Sequence, residues 1–271
     1  MHWNRSPQTY PPLASEQPAP WELFHENSKT GRFDRGLSNF EVATRMRESW
    51  ESLPYEQYPS FELPAERRPL DVSLDEAITT RVTARAFEQR AIAFTELATL
   101  LFCAYGVTRE AQEGIFPRPL RCVPSAGALY PLELYFHTIG VDELPGGLYH
   151  YNPSRNRVEL LRRGDHSRKI AEGLVQPEIA VEATLIVFIT AMFERATFKY
   201  RDRGYRFTLL EAGHVGQNIN LAANGLGLGA ANIGGYFDRA LDELLGCDGL
   251  THSLIYVVAV GGAGEVGADA P

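Results

Sequence analysis

The chain has 271 residues, of which 44% are hydrophobic, and carries a formal net charge of −8 at pH 7. This composition predicts a globular protein with a sizeable core, and the negative charge argues against broad nucleic-acid binding, which requires a positive surface. No run of 18 apolar residues and no signal-like N-terminus occurs, and three widely spaced cysteines match neither a disulfide framework nor a zinc site, so we expect a cytoplasmic protein without a structural metal.

The composition changes along the chain and predicts four segments. Residues 1–20 are rich in proline and polar residues and are expected to form a flexible arm, whereas residues 21–70 are expected to be an extension that packs on a larger body. Residues 71–262 mix helical and strand patterns without strict alternation, which favours an α+β domain. Residues 263–271 are predicted to be a flexible tail.

The domain opens with a predicted helix after Ser73, whose hydroxyl suits the N-cap position. The helix leads into Arg81, Thr83 and Arg85. Two guanidinium groups and a hydroxyl at this spacing can surround one phosphate group, because each offers hydrogen-bond donors. A solvated charged segment is the alternative interpretation.

A second helix is predicted over residues 94–102, with Thr95 as its N-cap. It is followed by a loop that is bounded by Pro124 and Pro131 and contains small residues. Small side chains let main-chain N–H groups approach a ligand, and Ser125 adds a hydroxyl donor. The alternative is a tight loop before a strand.

Apolar and alternating runs predict the strands of a sheet. These runs are Leu132–Thr138, Gly147–Tyr151 and Arg157–Leu161 as a hairpin, the buried run Ala183–Ala191, Leu228–Ile233 and Ser253–Val260. Two further helices are predicted at residues 166–175 and 238–246, and His150 and His166 are interpreted as surface histidines.

Residues 193–224 join two patterns. Residues 193–206 are predicted to form a basic loop, and residues 207–224 a helix of about five turns. On this helix Glu211, His214 and Asn218 share one stripe with apolar side chains, which is unusual for a surface helix. The unit is either a buried helix with satisfied polar groups beside a solvated loop, or one wall of a site for an anionic, planar ligand.

Several of these segments occur together in the order of one known family. They are Arg81–Arg85, Val123–Tyr135, Gly147–Tyr151, Phe193–Arg206, Glu211–Asn218 and Ile233–Gly235. In this combination residues 71–262 resemble the SagB/ThcOx-type azoline dehydrogenases, a branch of the nitroreductase-like FMN flavoproteins. The resemblance implies a nitroreductase-like α+β fold, with a mixed and mainly antiparallel sheet flanked by helices, and an intertwined homodimer that holds FMN at the subunit interface.

The resemblance also implies the cofactor contacts. Arg81, Thr83 and Arg85 match positions that hold the FMN phosphate. Pro124, Ser125, Ala126 and Gly127 match the loop along the isoalloxazine. Gln217 and Asn218 match polar contacts to the flavin, and Ile233, Gly234 and Gly235 match a backbone wall. Many relatives add a cation after the last strand, but residues 261–271 contain none, so we expect the phosphate to depend more on residues 81–85.

In the azole-forming members of this family, the residues matching Lys199 and Tyr200 act in removing hydrogen from the ring. The oxidation needs a base for a proton on carbon while a hydride goes to flavin N5, and a neutral amine can serve. Nearby positive charges would favour the neutral amine, and the sequence offers three: Arg195, Arg201 and Arg203. For His214 we expect a structural hydrogen bond rather than proton transfer.

The sequence therefore predicts an FMN-dependent dehydrogenase that oxidises thiazoline or oxazoline rings of a peptide or peptide-like intermediate. The ring-forming step is expected to belong to partner proteins, such as a cyclodehydratase. One alternative is an FMN oxidoreductase of the same fold that acts on another small molecule, such as a nitroarene or quinone. A second alternative is a docking subunit of a biosynthetic complex that does not turn over.

Overall fold

The computed structural model describes residues 18–34, 36–49, 51–110 and 118–264. Within them the helices are α1 (Pro20–Asn27), α2 (Asn39–Glu48), α3 (Leu74–Thr79), α4 (Phe94–Tyr105), α5 (Ser167–Ala171), α6 (Glu178–Glu182), α7 (Glu194–Tyr200), α8 (Asp202–Gly225) and α9 (Asp238–Leu245). The strands are β1 (Ser60–Glu62), β2 (Phe87–Glu88), β3 (Val107–Glu110), β4 (Pro119–Arg121), β5 (Leu132–Thr138), β6 (Gly147–Asn152), β7 (Arg157–Arg163), β8 (Leu185–Met192), β9 (Leu228–Ile233) and β10 (His252–Ala263). Most of the predicted arm and tail lies outside the described residues.

The larger sheet of the described part is antiparallel, in the order β1-β7-β6-β5-β8-β10-β2, with β9 paired to β10. Its central strand β8 is the apolar run that the sequence predicts to be buried. Side chains alternate across a strand, so Val187 and Ile189 join the core on one face while Ile186 and Phe188 join the core on the other. The predicted α+β fold with a mainly antiparallel sheet is confirmed.

Helices cover both faces of this sheet. On one face α4 and α8 contribute Leu97, Leu101, Val215 and Ile219 to the core. The opposite core is completed by side chains of α5, α6 and α9: Ile170, Ile179, Leu241 and Leu244. Among the described residues, no helix is both long enough and apolar enough to cross a membrane.

Several element bounds differ from the predictions. The N-cap of α4 is Ala93 rather than Thr95, because the Glu96 carboxylate accepts the Ala93 N–H at 3.0 Å. Helix α5 ends at Ala171 because the chain turns, with the Gly173 N–H donating to the Ile170 carbonyl at 2.9 Å. The Ser73 cap of α3 is confirmed, since its hydroxyl accepts the Glu76 N–H at 3.1 Å.

The segment 193–206 is helical, so the prediction of a basic loop is wrong. Helix α7 ends at Tyr200, Arg201 has φ 50°, and α8 begins at Asp202. A Cβ atom at Gly204 would lie 2.8 Å from the Ala196 carbonyl, so only glycine lets the two helices approach this closely. This packing fixes the end of α7, which carries Lys199 and Tyr200, against α8.

Candidate functional site

The loop between β4 and β5, residues 124–131 (the ligand loop), meets the end of α7. In this loop Gly127 has φ 64°, and Ala128 and Tyr130 have φ 52° and 46°, in the left-handed region that favours glycine. A Cβ atom added to Gly127 would lie 2.7 Å from both the Lys199 Nζ and Tyr200 Oη atoms. The structure thus brings the predicted loop and the predicted catalytic residues together, and a side chain at 127 would displace them.

Lys199 and Tyr200 are half-buried and lie side by side. The Lys199 Nζ atom is 5.1 Å from the centroid of the Tyr200 ring, and that ring meets Phe207 edge-on at a centroid distance of 5.0 Å. Such contacts orient the ring and place an ammonium near its face. An amine and a phenol at one position can move a proton to or from a bound molecule.

Of the three arginines predicted to surround Lys199, Arg195 has a different partner. Arg195 is buried, and its Nη2 atom lies 2.7 Å from Glu133 Oε1. Arg206 donates to the Ser28 hydroxyl at 2.7 Å and to a carbonyl of α1. These arginines therefore anchor helices through partners that are distant in sequence.

Glu133 is the centre of a buried polar network. It accepts hydrogen bonds from His150 Nε2 at 2.7 Å and from the Leu53 N–H at 3.1 Å. Burial raises the pKa of Glu133, but the Arg195 charge and the His150 hydrogen bond outweigh it and lower the pKa to about 2. Burial lowers the pKa of His150, yet its hydrogen bonds to Glu133 and Glu159 outweigh that effect and raise it. His150 is fully buried, so its interpretation as a surface histidine is wrong.

Glu211 is a second buried carboxyl, and it lies beside the ligand loop. The Tyr105 hydroxyl donates to Glu211 Oε1 at 2.6 Å, and the Ser125 hydroxyl also bonds to this carboxyl. Burial raises the pKa of Glu211 to about 7, although both hydroxyl groups and the Arg121 charge lower it. No role at the site was predicted for Glu211; the signal available in the sequence was its position on the polar stripe of α8.

Arg81 and Thr83 lie in a second region of the structure, away from the ligand loop. Arg81 Nη1 donates to Thr83 Oγ1 at 3.4 Å, and Thr83 bridges Ala230 at the start of β9. Arg81 lines a cavity of about 200 Å³ with Asn220, Asn224 and the backbone of residues 227–230. The cavity offers the Arg81 guanidinium and main-chain groups to an oxyanion, whereas the side-chain amides of Asn220 and Asn224 already donate within the protein. Arg85 follows Thr83 by two residues in the sequence, and it is exposed to solvent.

The remaining predicted contacts lie along α8 and after β9. Asn218 Nδ2 donates to the Cys103 carbonyl at 2.8 Å, beside a cavity of about 220 Å³. Ile233 is buried, whereas Gly234, Gly235 and Gln217 are exposed. His214 is also exposed and makes no hydrogen bond within the described residues, so its predicted structural bond is not found.

Helix α8 extends from the ligand loop to the Arg81 cavity. Glu211 lies at the ligand loop and Asn224 at the Arg81 cavity, and the rise of 1.5 Å per residue separates them by about 20 Å. Within one chain the ligand loop with Lys199 and Tyr200 therefore forms one group of site residues and the Arg81 cavity a second, while Asn218 lies beside a further cavity. Asn220 and Asn224, which the sequence analysis missed, belong to the second group.

Comparison with known proteins gives a match to the nitroreductase family over residues 78–262. The chain is 34% identical over 175 residues to MJ1384 of Methanocaldococcus jannaschii, named as a nitroreductase, covering 65% of this chain and 85% of that protein. It is 32% identical over 144 residues to the microcin B17-processing protein McbC of Escherichia coli, covering 47% of this chain and 49% of McbC. It is 36% identical over 115 residues to the trifolitoxin-processing protein TfxB of Rhizobium leguminosarum bv. trifolii, covering 40% of this chain and 30% of TfxB. The chain thus spans half the length or less of these two processing proteins.

Solved structures show the same fold. A nitroreductase from Anabaena variabilis superposes with a TM-score of 0.70 at 23% identity, covering 90% of this chain and 47% of that one. A chain of the E. coli microcin synthetase McbBCD complex with truncated pro-MccB17 bound gives 0.58 at 21% identity, covering 90% and 92%. A nitroreductase from Desulfovibrio desulfuricans in complex with FMN gives 0.50 at 16% identity, covering 76% and 92%.

Proposed function

Because this chain belongs to the nitroreductase family, we propose that it is an FMN-dependent dehydrogenase that oxidises thiazoline or oxazoline rings of a peptide or peptide-like intermediate to thiazole or oxazole. The observation that carries this proposal is the meeting of Lys199 Nζ and Tyr200 Oη with Gly127 in the ligand loop. The similarity to McbC and TfxB, both named for processing a peptide, supports the choice of substrate class.

The residues present fit FMN. The cavity at Arg81 offers donors for a phosphate, and a Cβ atom at Gly234 would meet no atom within 4 Å, so the backbone there is open to a flat ring. Gly127 presents a bare main chain beside Lys199. We assign Arg81, Thr83 and Arg85 to the phosphate. The flavin ring is assigned to Pro124, Ser125, Ala126, Gly127, Gln217, Asn218, Ile233, Gly234 and Gly235.

We propose a homodimer as the active form. The two groups of site residues are separated along α8 in one chain, and a second copy can supply the group that the first cannot reach. The exposed face of α8 carries Leu209, Leu210 and Gly213, which suits contact with another protein surface. In this arrangement each cofactor would contact both protomers.

The chemistry follows from the residue types at the site. Conversion of an azoline to an azole removes one hydride and one proton from the ring. Bound FMN supplies the hydride acceptor. Lys199 is assigned to accept the proton from carbon, and Tyr200 to orient the ring or share that proton. Partner proteins, such as a cyclodehydratase, would form the azoline, and the reducing cytoplasm is consistent with the free thiols of Cys103, Cys122 and Cys247.

The proposal is tested with purified, FMN-loaded protein and a synthetic thiazoline peptide under anaerobic conditions. We expect bleaching of the flavin and a product that has lost two hydrogen atoms. Reduction of nitroarenes or quinones with NADPH, without reaction of the thiazoline peptide, would instead indicate a different small-molecule substrate. Partner binding without bleaching by any candidate would indicate a docking subunit.

Lys199→Ala separates binding from chemistry. We expect the variant to retain its yellow colour while thiazole formation slows by about 10²- to 10⁴-fold, the usual contribution of general acid–base catalysis. Lys169→Ala, at an exposed lysine of α5, is the matched control. Turnover at the wild-type rate in Lys199→Ala would remove Lys199 from the mechanism.

Arg81→Ala with Arg85→Ala tests the phosphate assignment. Loss of two charge-assisted contacts is expected to weaken FMN binding by about 100-fold or more, measured by flavin fluorescence. The double change of the exposed residues Arg162 and Arg163 to Ala is the control. Full flavin occupancy in the Arg81 and Arg85 variant would show that the phosphate lies elsewhere.

A further inference from the structure

The ligand loop is tied to Glu211 near both of its ends. At its start the Ser125 hydroxyl bonds to the Glu211 carboxyl and accepts the Tyr130 N–H at 2.9 Å. Just beyond its end, the Tyr105 hydroxyl, which donates to Glu211 Oε1, accepts the Leu132 N–H at 3.3 Å. One carboxyl therefore connects both sides of the loop that carries Gly127.

The backbone of this loop needs such support. Ala128 and Tyr130 both have positive φ, which costs about 1 kcal/mol or more for each non-glycine residue. Strained residues persist only where the surroundings hold them in place. Glu211 is 2% exposed, and replacing it with an apolar residue would leave the Tyr105 and Ser125 hydroxyls without this partner.

We propose that Glu211 is a positioning residue for Lys199 and Tyr200: through Ser125 and Tyr105 it holds the ligand loop at the distance that the site requires. This role rests on the proposed function for its meaning in catalysis, but its geometry concerns this chain alone. Glu211 touches neither Lys199 nor the substrate in this assignment and acts only through the loop.

The role makes the site sensitive to pH. The groups that face Glu211 are Tyr105 from α4, Ser125 from the loop and the Arg121 charge from β4. Burial raises the pKa of Glu211 to about 7, so below pH 7 the carboxyl is neutral and above it becomes a buried anion. Both hydroxyl groups bond more strongly to the ionised carboxylate than to the neutral acid, so the ionised form is the one that holds the loop in the binding geometry.

The test compares the pH dependence of FMN affinity in wild-type protein, Glu211→Gln and Glu243→Gln, measured by flavin fluorescence without substrate. Glu243 is an exposed glutamate of α9 and serves as the matched control. If FMN binds only the protein in which Glu211 is ionised, its Kd rises about tenfold per pH unit as pH falls below 7 in wild type and in Glu243→Gln. In Glu211→Gln this rise is expected to be absent. The FMN phosphate titrates alike in all three proteins, so only the difference between them is used.

The pH–rate profile with a thiazoline peptide provides the second readout. The rate of wild-type protein is expected to fall below pH 7, and this fall is expected to be absent in Glu211→Gln. A Kd that rises equally below pH 7 in Glu211→Gln and wild type overturns the proposal. If the rise is lost in Glu211→Gln but no azoline reacts, the proposed substrate is wrong while the role of Glu211 stands. If Glu211→Gln does not fold, Tyr105→Phe replaces it. An FMN affinity at pH 8 weaker than that of Tyr256→Phe supports the proposal, and equal affinities overturn it.

Discussion

Two buried glutamates of the same domain have different charged and hydrogen-bonding partners, and their pKa values are shifted in opposite directions. Glu133 is met by the charge of Arg195 and by N–H donors, and its pKa lies at about 2. Glu211 is met by hydroxyl groups, and its pKa lies at about 7. Both side chains belong to residues that are 2% exposed, so burial alone does not decide their charge; their partners do. Glu133 is a fixed charge that anchors α7, whereas Glu211 changes charge near neutral pH beside the ligand loop.

The two groups give pH dependences of opposite sign. For Glu133 the folded pKa lies below the ordinary value, so its stabilisation is present above about pH 4.5 and is lost as pH falls toward 2. For Glu211 the folded pKa lies above the ordinary value, so the folded state binds more protons than the unfolded state between about pH 4.5 and 7. Stability therefore falls as pH rises through that interval.

The largest expected effect comes from breaking the Glu133 network. Glu133→Gln leaves the buried Arg195 without its counter-charge, and removal of one partner of a buried ion pair costs about 3–5 kcal/mol. Urea unfolding at pH 7 measures the change. Glu56→Gln, at an exposed ion pair with Arg155, is the control and should unfold near the wild-type midpoint. Equal midpoints for the two variants would show that Glu133 is not an anchor.

A smaller effect is expected from Glu211→Gln, and it depends on pH. Wild-type protein should lose about 3 kcal/mol of unfolding free energy between pH 4.5 and 7 through this carboxyl, since one pKa unit corresponds to about 1.4 kcal/mol. The amide cannot ionise, so the difference between variant and wild type should grow across this interval and then level off. His137 and His150 titrate in both proteins and cancel in that difference. A constant difference from pH 4.5 to 8 would contradict the raised pKa of Glu211.

The smallest effects compare one hydroxyl deletion in each region. Ser52→Ala removes a hydroxyl that donates to Glu133 at 3.3 Å and should cost about 1 kcal/mol, equally at pH 5 and pH 8, because Glu133 stays ionised. Tyr105→Phe should cost more at pH 8 than at pH 5, because a hydrogen bond to an ionised carboxylate is stronger than one to a neutral acid. Thermal unfolding at both pH values measures the two variants. A pH-independent cost for Tyr105→Phe would remove the distinction between the two glutamates.

Local patterns were enough to predict much of the fold. The apolar run that becomes β8 and the 3.6-residue periodicity within α8 depend on neighbouring residues, so the sequence identified both elements. The small residues between Pro124 and Pro131 likewise indicated a loop that could approach a ligand. Its role along the flavin, and the role of Lys199 and Tyr200 in ring oxidation, were implied by the family resemblance alone.

Long-range partners could not be predicted in this way. Arg195 was expected to act on Lys199, but it pairs with Glu133 because β5 and β8 lie side by side and α7 follows β8 directly. His150 was taken for a surface residue because nothing in its own segment shows that Glu133 and Glu159 flank it on adjacent strands. The pKa of Glu211 depends on a tyrosine 106 positions away. Each of these contacts is set by strand register and helix packing.

Glu133 accepts hydrogen bonds from Ser52 and Leu53, and these bonds bear on the length of the shortest chain that can fold with an intact site. The family match begins at residue 78, yet the carboxylate that restrains α7 also binds a hydroxyl and a main-chain amide well before that boundary. We expect a truncated protein beginning at 78 to lose these two partners of the carboxylate and to hold the helix that carries Lys199 less firmly. We therefore expect the folding unit to start upstream of Ser52 and to include residues 51–77.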